Sequence, residues 1–356
     1  MSKTYTTALT AIVKNESRSI TQLLESVRPY VDMLFVLDTG STDDTVELAR
    51  KAGAQVYFFE WCNDFSAARN TILAHSTADW NLVLDADERV VEGGALLSGL
   101  RSVAPDFVAQ VQVHSVFGDA NDQFDTSWSS RLLPKGVRYQ GIVHELPVHD
   151  YPTRRLDIVI GHDGYTKDNL VRKEGRNWAL ISTALQANPD DAYLWFQLGQ
   201  EAQVRDQFVK AEECFARAFD LLADTPPWFI TLVSSRIYTL KKLGQHDAGL
   251  NFGLDQLPKC LTSADVSFAI GDLLIDWAAT EPEQAVQLVP HAIDAFLNCL
   301  DIGEHPEVNR AVAGRGSHLA AHNLALLYEV SGRDEDARLI REQFGLSKPD
   351  IDRLSD

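Results

Sequence analysis

Apolar runs that stop on an acid, separated by segments with helical spacing, recur over residues 6–87 and constrain the chain more than any other feature. "TTALTAIV" (6–13) is β-rich, "MLFVLD" (33–38) closes on Asp38, "AQVYFFE" (54–60) is strand-like, and "WNLVLDAD" (80–87) closes on Asp85 and Asp87. Between them, "SITQLLESVRPYV" (19–31) sets Leu23, Leu24 and Val27 on one side of a helix. "TDDTVELARKAG" (42–53) has acids in a first turn and a glycine stop, and "FSAARNTILAHS" (65–76) reads as a third helix. Strand and helix alternating at these intervals predict right-handed crossovers and a parallel sheet covered on both faces. Ligands of such sheets sit beyond the carboxyl ends of the strands, where Asp38 and Asp85 fall.

From about residue 170 the strand signals vanish. In 190–222, Trp195, Leu198, Gly199, Ala202, Ala211, Phe215 and Ala218 follow the spacing of the tetratricopeptide repeat, a helix–turn–helix of about 34 residues. The segment 318–344 repeats the pattern, and 229–260 and 266–300 fit it more loosely, giving three or four helical hairpins. An irregular helical bundle is the plainer alternative. Pro189, Pro226, Pro227, Pro258 and Pro306 fall where hairpins should meet.

A length of 356 residues suits two domains, here 1–168 and 169–356. The net charge of −19 argues against binding to nucleic acid or to anionic membrane surfaces. A nucleotide ligand stays compatible if a metal screens its phosphates. Cys62, Cys214, Cys260 and Cys299 are scattered, without the pairing of a zinc site or a disulfide scaffold, and Cys214 reads as a reduced core thiol. No signal-peptide core opens the chain and no apolar stretch is long enough to span a bilayer, so a cytoplasmic protein without stable membrane insertion is expected.

"NLVLDADERV" (81–90) ends an apolar run in three acids, Asp85, Asp87 and Glu88. Acids can simply stop a strand, or they can hold a divalent cation. In an extended segment residues i and i+2 face the same side, so Asp85 and Asp87 would point together and repel unless a cation lay between them. Mg²⁺ or Mn²⁺ suits such oxygen ligands. "LFVLDTGSTDDT" (34–45) places Asp38 before a Gly-Ser-Thr turn in which Ser41 or Thr42 would cap a helix, and Asp38 is equally a candidate acceptor for a ligand N–H. "WCNDFSAARN" (61–70) supplies Arg69, either a solvated side chain or a fixed cation for a diphosphate or base. Downstream, Arg131, His144, Glu145 and His162 flank short apolar runs. His318 and His322 have i, i+4 spacing but no acid between them to support a metalloprotease, so core or surface is the expected role.

"KNE" (14–16), "LDTGSTDDT" (37–45), "DFSAARN" (64–70) and "LDADE" (84–88), in this order, resemble the nucleotide half of a family 2 glycosyltransferase with a GT-A fold. They are similar in particular to the branch fused to tetratricopeptide repeats, the bacterial peptide and protein glycosyltransferases of the sublancin S-glycosyltransferase type. The resemblance covers the first half of the chain well and the helical half only in type. It implies an α/β GT-A domain, Rossmann-like with a mostly parallel sheet, followed by an all-α tetratricopeptide-like domain. It implies a nucleotide-sugar donor, a UDP-sugar above all, contacted by Asn15, Glu16, Asp38, Arg69, Asp85, Arg131, Tyr165 and Lys167. It also implies Mg²⁺ or Mn²⁺ held by Asp87 with Asp85 and His162, and an inverting transfer with Glu145, or else His144, as general base.

A peptide or protein acceptor suits a repeat array, which can instead orient a saccharide acceptor or pair two protomers as a homodimer. Synthesis of cell-surface polysaccharide or of a lipid-linked saccharide is the next reading. A noncatalytic scaffold should have lost the site acids, yet Asp38, Arg69, Asp85, Asp87 and Glu145 all stand. A nucleotidyltransferase should carry a glycine-rich loop after the first strand, and "VKNESRS" has no glycine.

Overall fold

A computed structural model describes residues 4–117, 123–162, 175–305 and 311–346, and divides the chain into two compact units, 1–184 and 185–356. The expected seam at 168/169 lies outside the described residues, as do Pro306, Tyr165 and Lys167.

In the first unit, β1 (Thr7–Val13) is flanked in parallel by β2 (Met33–Asp38) and β4 (Trp80–Asp85), and β3 (Gln55–Phe58) runs parallel beside β2. The intervening helices α1 (Ile20–Val27), α2 (Thr45–Lys51) and α3 (Phe65–His75) stand where the apolar spacing puts them. Period-two alternation sorts β1: Leu9, Ala11 and Val13 pack with Ile20, Leu23, Leu24 and Val27 of α1, and Ala8 packs on the other face with Ala68 and Ile72 of α3. The register pairs Val13 with Asp38 and Ile12 with Asp85, so the two aspartates close the same end of the sheet on either side of β1.

Beyond β4 the sheet turns mixed. β5 (Glu88–Glu92), β6 (Val108–Phe117), β7 (Gln123–Pro134) and β10 (Thr153–His162) complete the order β3-β2-β1-β4-β7-β6-β10-β5. Strand β7 runs antiparallel to β4 and β6, β10 parallel to β6, and β5 antiparallel to β10 with Glu88 opposite His162. The hairpin of β8 (Arg138–Gln140) and β9 (Leu146–Val148) stands as a separate two-stranded sheet. Of these strands, only those beside Arg131, His144–Glu145 and His162 were expected from sequence, as short apolar runs.

Among the described residues of the second unit four hairpins follow one another: Ala192–Gln203 with Phe208–Asp220, Phe229–Lys242 with His246–Gln256, Ala264–Thr280 with Ala285–Ile302, and His318–Val330 with Asp334–Phe344. The first two steps along the chain are close to the repeat length of about 34 residues. Apart from the two-residue strand Ala311–Val312, the described part of this unit is helical. Small residues seat the helices: a Cβ at Gly199 would lie 2.5 Å from the Phe215 ring, and one at Gly271 would lie 2.8 Å from the Phe296 ring. Cys214, Cys260 and Cys299 are buried free thiols, and burial pushes Cys214 up to about 11. Among the described residues no helix is long and apolar enough to cross a membrane.

Candidate active site

A cavity of about 510 Å³ opens at the carboxyl end of the sheet in the first unit. Val13, Lys14 and Glu16 at the end of β1, Arg69 on α3, Asp85 and Asp87 at the end of β4, Arg131 on β7, Tyr139, His144 and Glu145 on the hairpin, and His162 at the end of β10 all line it. Every candidate drawn from "LDADE", Arg131, the His-Glu pair and His162 therefore meets in one place.

The turn after β2 is wired differently from its sequence reading. Helix α2 starts at Thr45, three residues later than "TDDT" suggests, because Ser41 and Thr42 bind Asn15 rather than cap a helix. Asn15 is left-handed at φ 56°; its N–H donates to Ser41 Oγ at 2.9 Å, and its side-chain oxygen accepts from Thr42 N–H at 2.7 Å. Asp38 is buried behind this turn. Its Oδ1 accepts from the N–H groups of Gly40 and Ser41, both at 3.0 Å, while Oδ2 is buried with no partner among the described residues. Neither Asn15 nor Asp38 lines the cavity, whereas Glu16 does.

Around Asp85 the positive charge comes from the protein. Arg69, 5% exposed on α3, donates through Nη2 to Asp85 Oδ1 at 2.6 Å and through Nε to Glu145. Arg131 pairs with Glu88 and lies 3.5 Å from Asp85 Oδ2. Glu88, 2% exposed, also accepts the Asp85 N–H at 2.9 Å. Burial raises the Asp85 carboxyl, but Arg69 and then Arg131 outweigh it and hold the group down to about 2. For Glu88 burial wins, and its carboxyl is pushed up despite Arg131. Both arginines are raised, burial opposing and the neighbouring acids prevailing.

Residues 86–87 form a turn, so the alternation expected of an extended segment does not apply there. Asp85 faces the arginines, and Asp87 Oδ2 lies 3.7 Å from His162 Nε2. His162 Nδ1 is 3.1 Å from Ser115 Oγ; a ring that donates from Nδ1 to this hydroxyl leaves Nε2 with a lone pair on the Asp87 side. Among the described residues no three His, Cys, Asp or Glu side chains form a ready-made metal cage. Asp87 and His162 fit a cation whose remaining ligands come from substrate and water, the usual arrangement for Mg²⁺ on phosphates.

Helix α3 also fixes the hairpin. Asn70 Nδ2 donates to the Tyr139 carbonyl at 2.9 Å and Asn70 Oδ1 accepts the Tyr139 N–H at 2.8 Å, while Phe65 N–H donates to the Ile142 carbonyl at 3.0 Å. Its N-cap is Asp64, whose side chain accepts the Ala67 N–H at 2.9 Å. The motif "DFSAARN" is thus a bracket that carries Arg69 and holds the loop bearing His144, left-handed at φ 50°, and Glu145. Asn70 and Tyr139 were not singled out from sequence, and Glu88 was named only as one of three acids ending the strand, without a role of its own. The third acid of "LDADE" was the available signal for Glu88, and none marked Tyr139.

Residues 11–159 match the family model "Glycosyl transferase family 2". A TPR repeat-containing protein of Synechococcus elongatus is 35% identical over 210 residues, 54% of this chain and 51% of that protein. The SPbeta prophage-derived glycosyltransferase SunS of Bacillus subtilis is 31% identical over 213 residues, 56% of this chain and 50% of that protein. The chain spans about half the length of these curated relatives. The solved glucosyl-3-phosphoglycerate synthase of Mycobacterium tuberculosis is 25% identical over 31% of this chain and 44% of its own, but its TM-score of 0.26 is too low to support any assignment.

Proposed function

We propose that the chain, whose residues 11–159 match a family 2 glycosyl transferase model and are followed by helical hairpins, moves a sugar from a UDP-sugar to an acceptor with inversion at the anomeric carbon. The observation that carries this is the convergence of Asp87, His162, Asp85 and Glu145 on one cavity at the strand ends. Asp87 and His162 would hold Mg²⁺ or Mn²⁺, which when bound neutralises the charge of the departing diphosphate. Since Arg69 and Arg131 are already paired with acids, they have little charge to spare for phosphate, which favours such a cation. Lys14 and Glu16 line the donor side of the cavity, and Asp38, set behind the turn and outside the cavity lining, stays assigned to the base by the family resemblance. Asn15 would act on the donor through the turn it holds. Tyr165 and Lys167 remain assigned to the diphosphate by the family resemblance alone.

Glu145 is the proposed general base. One of its oxygens is fixed by Arg69, which orients the carboxylate on the cavity wall. It would take the proton of the acceptor nucleophile as the new bond forms at the anomeric carbon, while the bond to the diphosphate oxygen breaks and its electron pair leaves with the nucleotide. His144 is the alternative base. Asp85, held by two guanidiniums, would face the donor ribose and metal-bound water. The acceptor is proposed to be a peptide or protein, because stacked helical hairpins suit extended chains.

A panel of nucleotide sugars, each with Mg²⁺ or Mn²⁺, tests the reading through metal-dependent hydrolysis and thermal stabilisation. Asp87→Asn is expected to lower turnover at least about 10³-fold and to remove metal-dependent nucleotide binding; normal turnover would exclude the metal assignment. Glu145→Gln should bind donor and lose transfer by about 10²–10⁴-fold; undiminished transfer would move the base to His144.

A further inference from the structure

The cavity wall formed by α3, β7 and the β8–β9 hairpin holds three hydrogen-bond donors that find no acceptor among the described residues. The Tyr139 hydroxyl, Arg69 Nη1 and Arg131 Nε are buried and have no acceptor among the described residues. Tyr139 is 5% exposed, lines the cavity, and has the Arg69 guanidinium carbon 5.4 Å from its ring centre. Burial pushes its phenol up, so at neutral pH it remains an O–H donor. An unpaired buried hydroxyl is destabilising, and a phenylalanine would give Arg69 the same ring without that loss. Packing alone does not account for a tyrosine here.

We infer that the Tyr139 hydroxyl donates a hydrogen bond to an oxygen of the sugar carried by the donor, and so helps to select which sugar is transferred. This rests on the nucleotide-sugar reading above. The charge balance chooses sugar over phosphate: Arg69 and Arg131 face Asp85, Glu88 and Glu145, so the wall has no surplus positive charge for a diphosphate. A neutral ring rich in acceptor oxygens fits it. A buried donor that must find its acceptor also discriminates strongly, because a ligand lacking that oxygen leaves it unpaired.

The test uses the full chain with Mn²⁺ and calorimetry on UDP-glucose, UDP-galactose, UDP-N-acetylglucosamine and GDP-mannose. The sugar nucleotide that wild type binds most tightly is then compared with its nucleoside diphosphate on wild type and Tyr139→Phe. The variant should melt at or above wild type, bind the nucleoside diphosphate equally, and bind the sugar nucleotide about tenfold more weakly, or about 1.4 kcal/mol. Unchanged affinity for the sugar nucleotide overturns the inference, and so does an equal loss on the nucleoside diphosphate. Deoxy-sugar analogues on wild type give a reading independent of the variant's folding: one position should lose the same tenfold, and no loss at any position rejects the contact. Wild type that binds none of the panel brings down the glycosyltransferase reading itself, a result distinct from either.

Discussion

At the carboxyl end of the sheet, Glu88 and Arg69 are 2% and 5% exposed and belong to one chain of acids and guanidiniums. In the helical unit, Arg236 meets Glu212 at 2.7 Å with both side chains close to one-fifth exposed, and Lys241 meets Asp272 at 2.5 Å. The first arrangement removes charge from water, which helps only while every member keeps its partner. The second leaves charge in reach of solvent, and there the helices are held by the contact of small residues with rings, as at Gly271 and Phe296. The strand-end cluster therefore depends on electrostatic completeness and the close-packed helix pairs at Gly199 and Gly271 on shape, although the helical unit too buries charge, at Asp265 with Arg315 and at Arg341 with Glu329.

The sharpest way to break the contrast is Glu88→Ala, which leaves Arg131 only the Asp85 carboxylate at 3.5 Å and takes the acceptor from the Asp85 N–H. Urea unfolding followed on the first unit should show a loss of about 3–5 kcal/mol. Next comes Gly271→Leu, which forces the Phe296 ring aside and should cost about 1–3 kcal/mol in the helical unit. Arg236→Ala should cost about 1 kcal/mol or less by the same measurement, and a loss as large as that of Glu88→Ala would erase the distinction.

Acid titration gives a subtler reading. Asp85 is held at about 2, below its usual 3.8, so its stabilisation is complete above about pH 4 and is lost as pH falls towards 2. Glu88 is shifted up, so its contribution has the opposite sign: full below its usual 4.5 and lost as pH rises through its folded value. Urea midpoints of wild type should therefore fall between pH 4 and 2 more steeply than those of Asp85→Asn. Parallel curves would remove Asp85 from the acid response.

Much of this was legible in the sequence. "MLFVLD" is β2 from Met33 to Asp38, and the acids that end "MLFVLD" and "WNLVLDAD" do share one end of the sheet. The helical hairpin expected within 190–222 is present, with Gly199 set against the Phe215 ring. What escaped was set by nonlocal contacts. Strand geometry was expected to turn Asp85 and Asp87 to one side, yet a turn intervenes, and Asp85 pairs with side chains from α3 and β7. The alternation of Ala109, Val111 and Val113 with Gln110, Gln112 and His114 marks β6 by a period-two pattern, but its parallel partner β10 lies some forty residues on, beyond any local signal. The role of Asn70 needed Tyr139 beside it in space.

The double hydrogen bond from Asn70 to the Tyr139 backbone has a consequence for engineering. Any attempt to change acceptor or sugar preference by importing a different 138–148 segment from a relative must bring that relative's 64–70 stretch with it. Swapped separately, the guest loop would arrive without its mooring, and a dead chimera would say nothing about the specificity of the loop it carried.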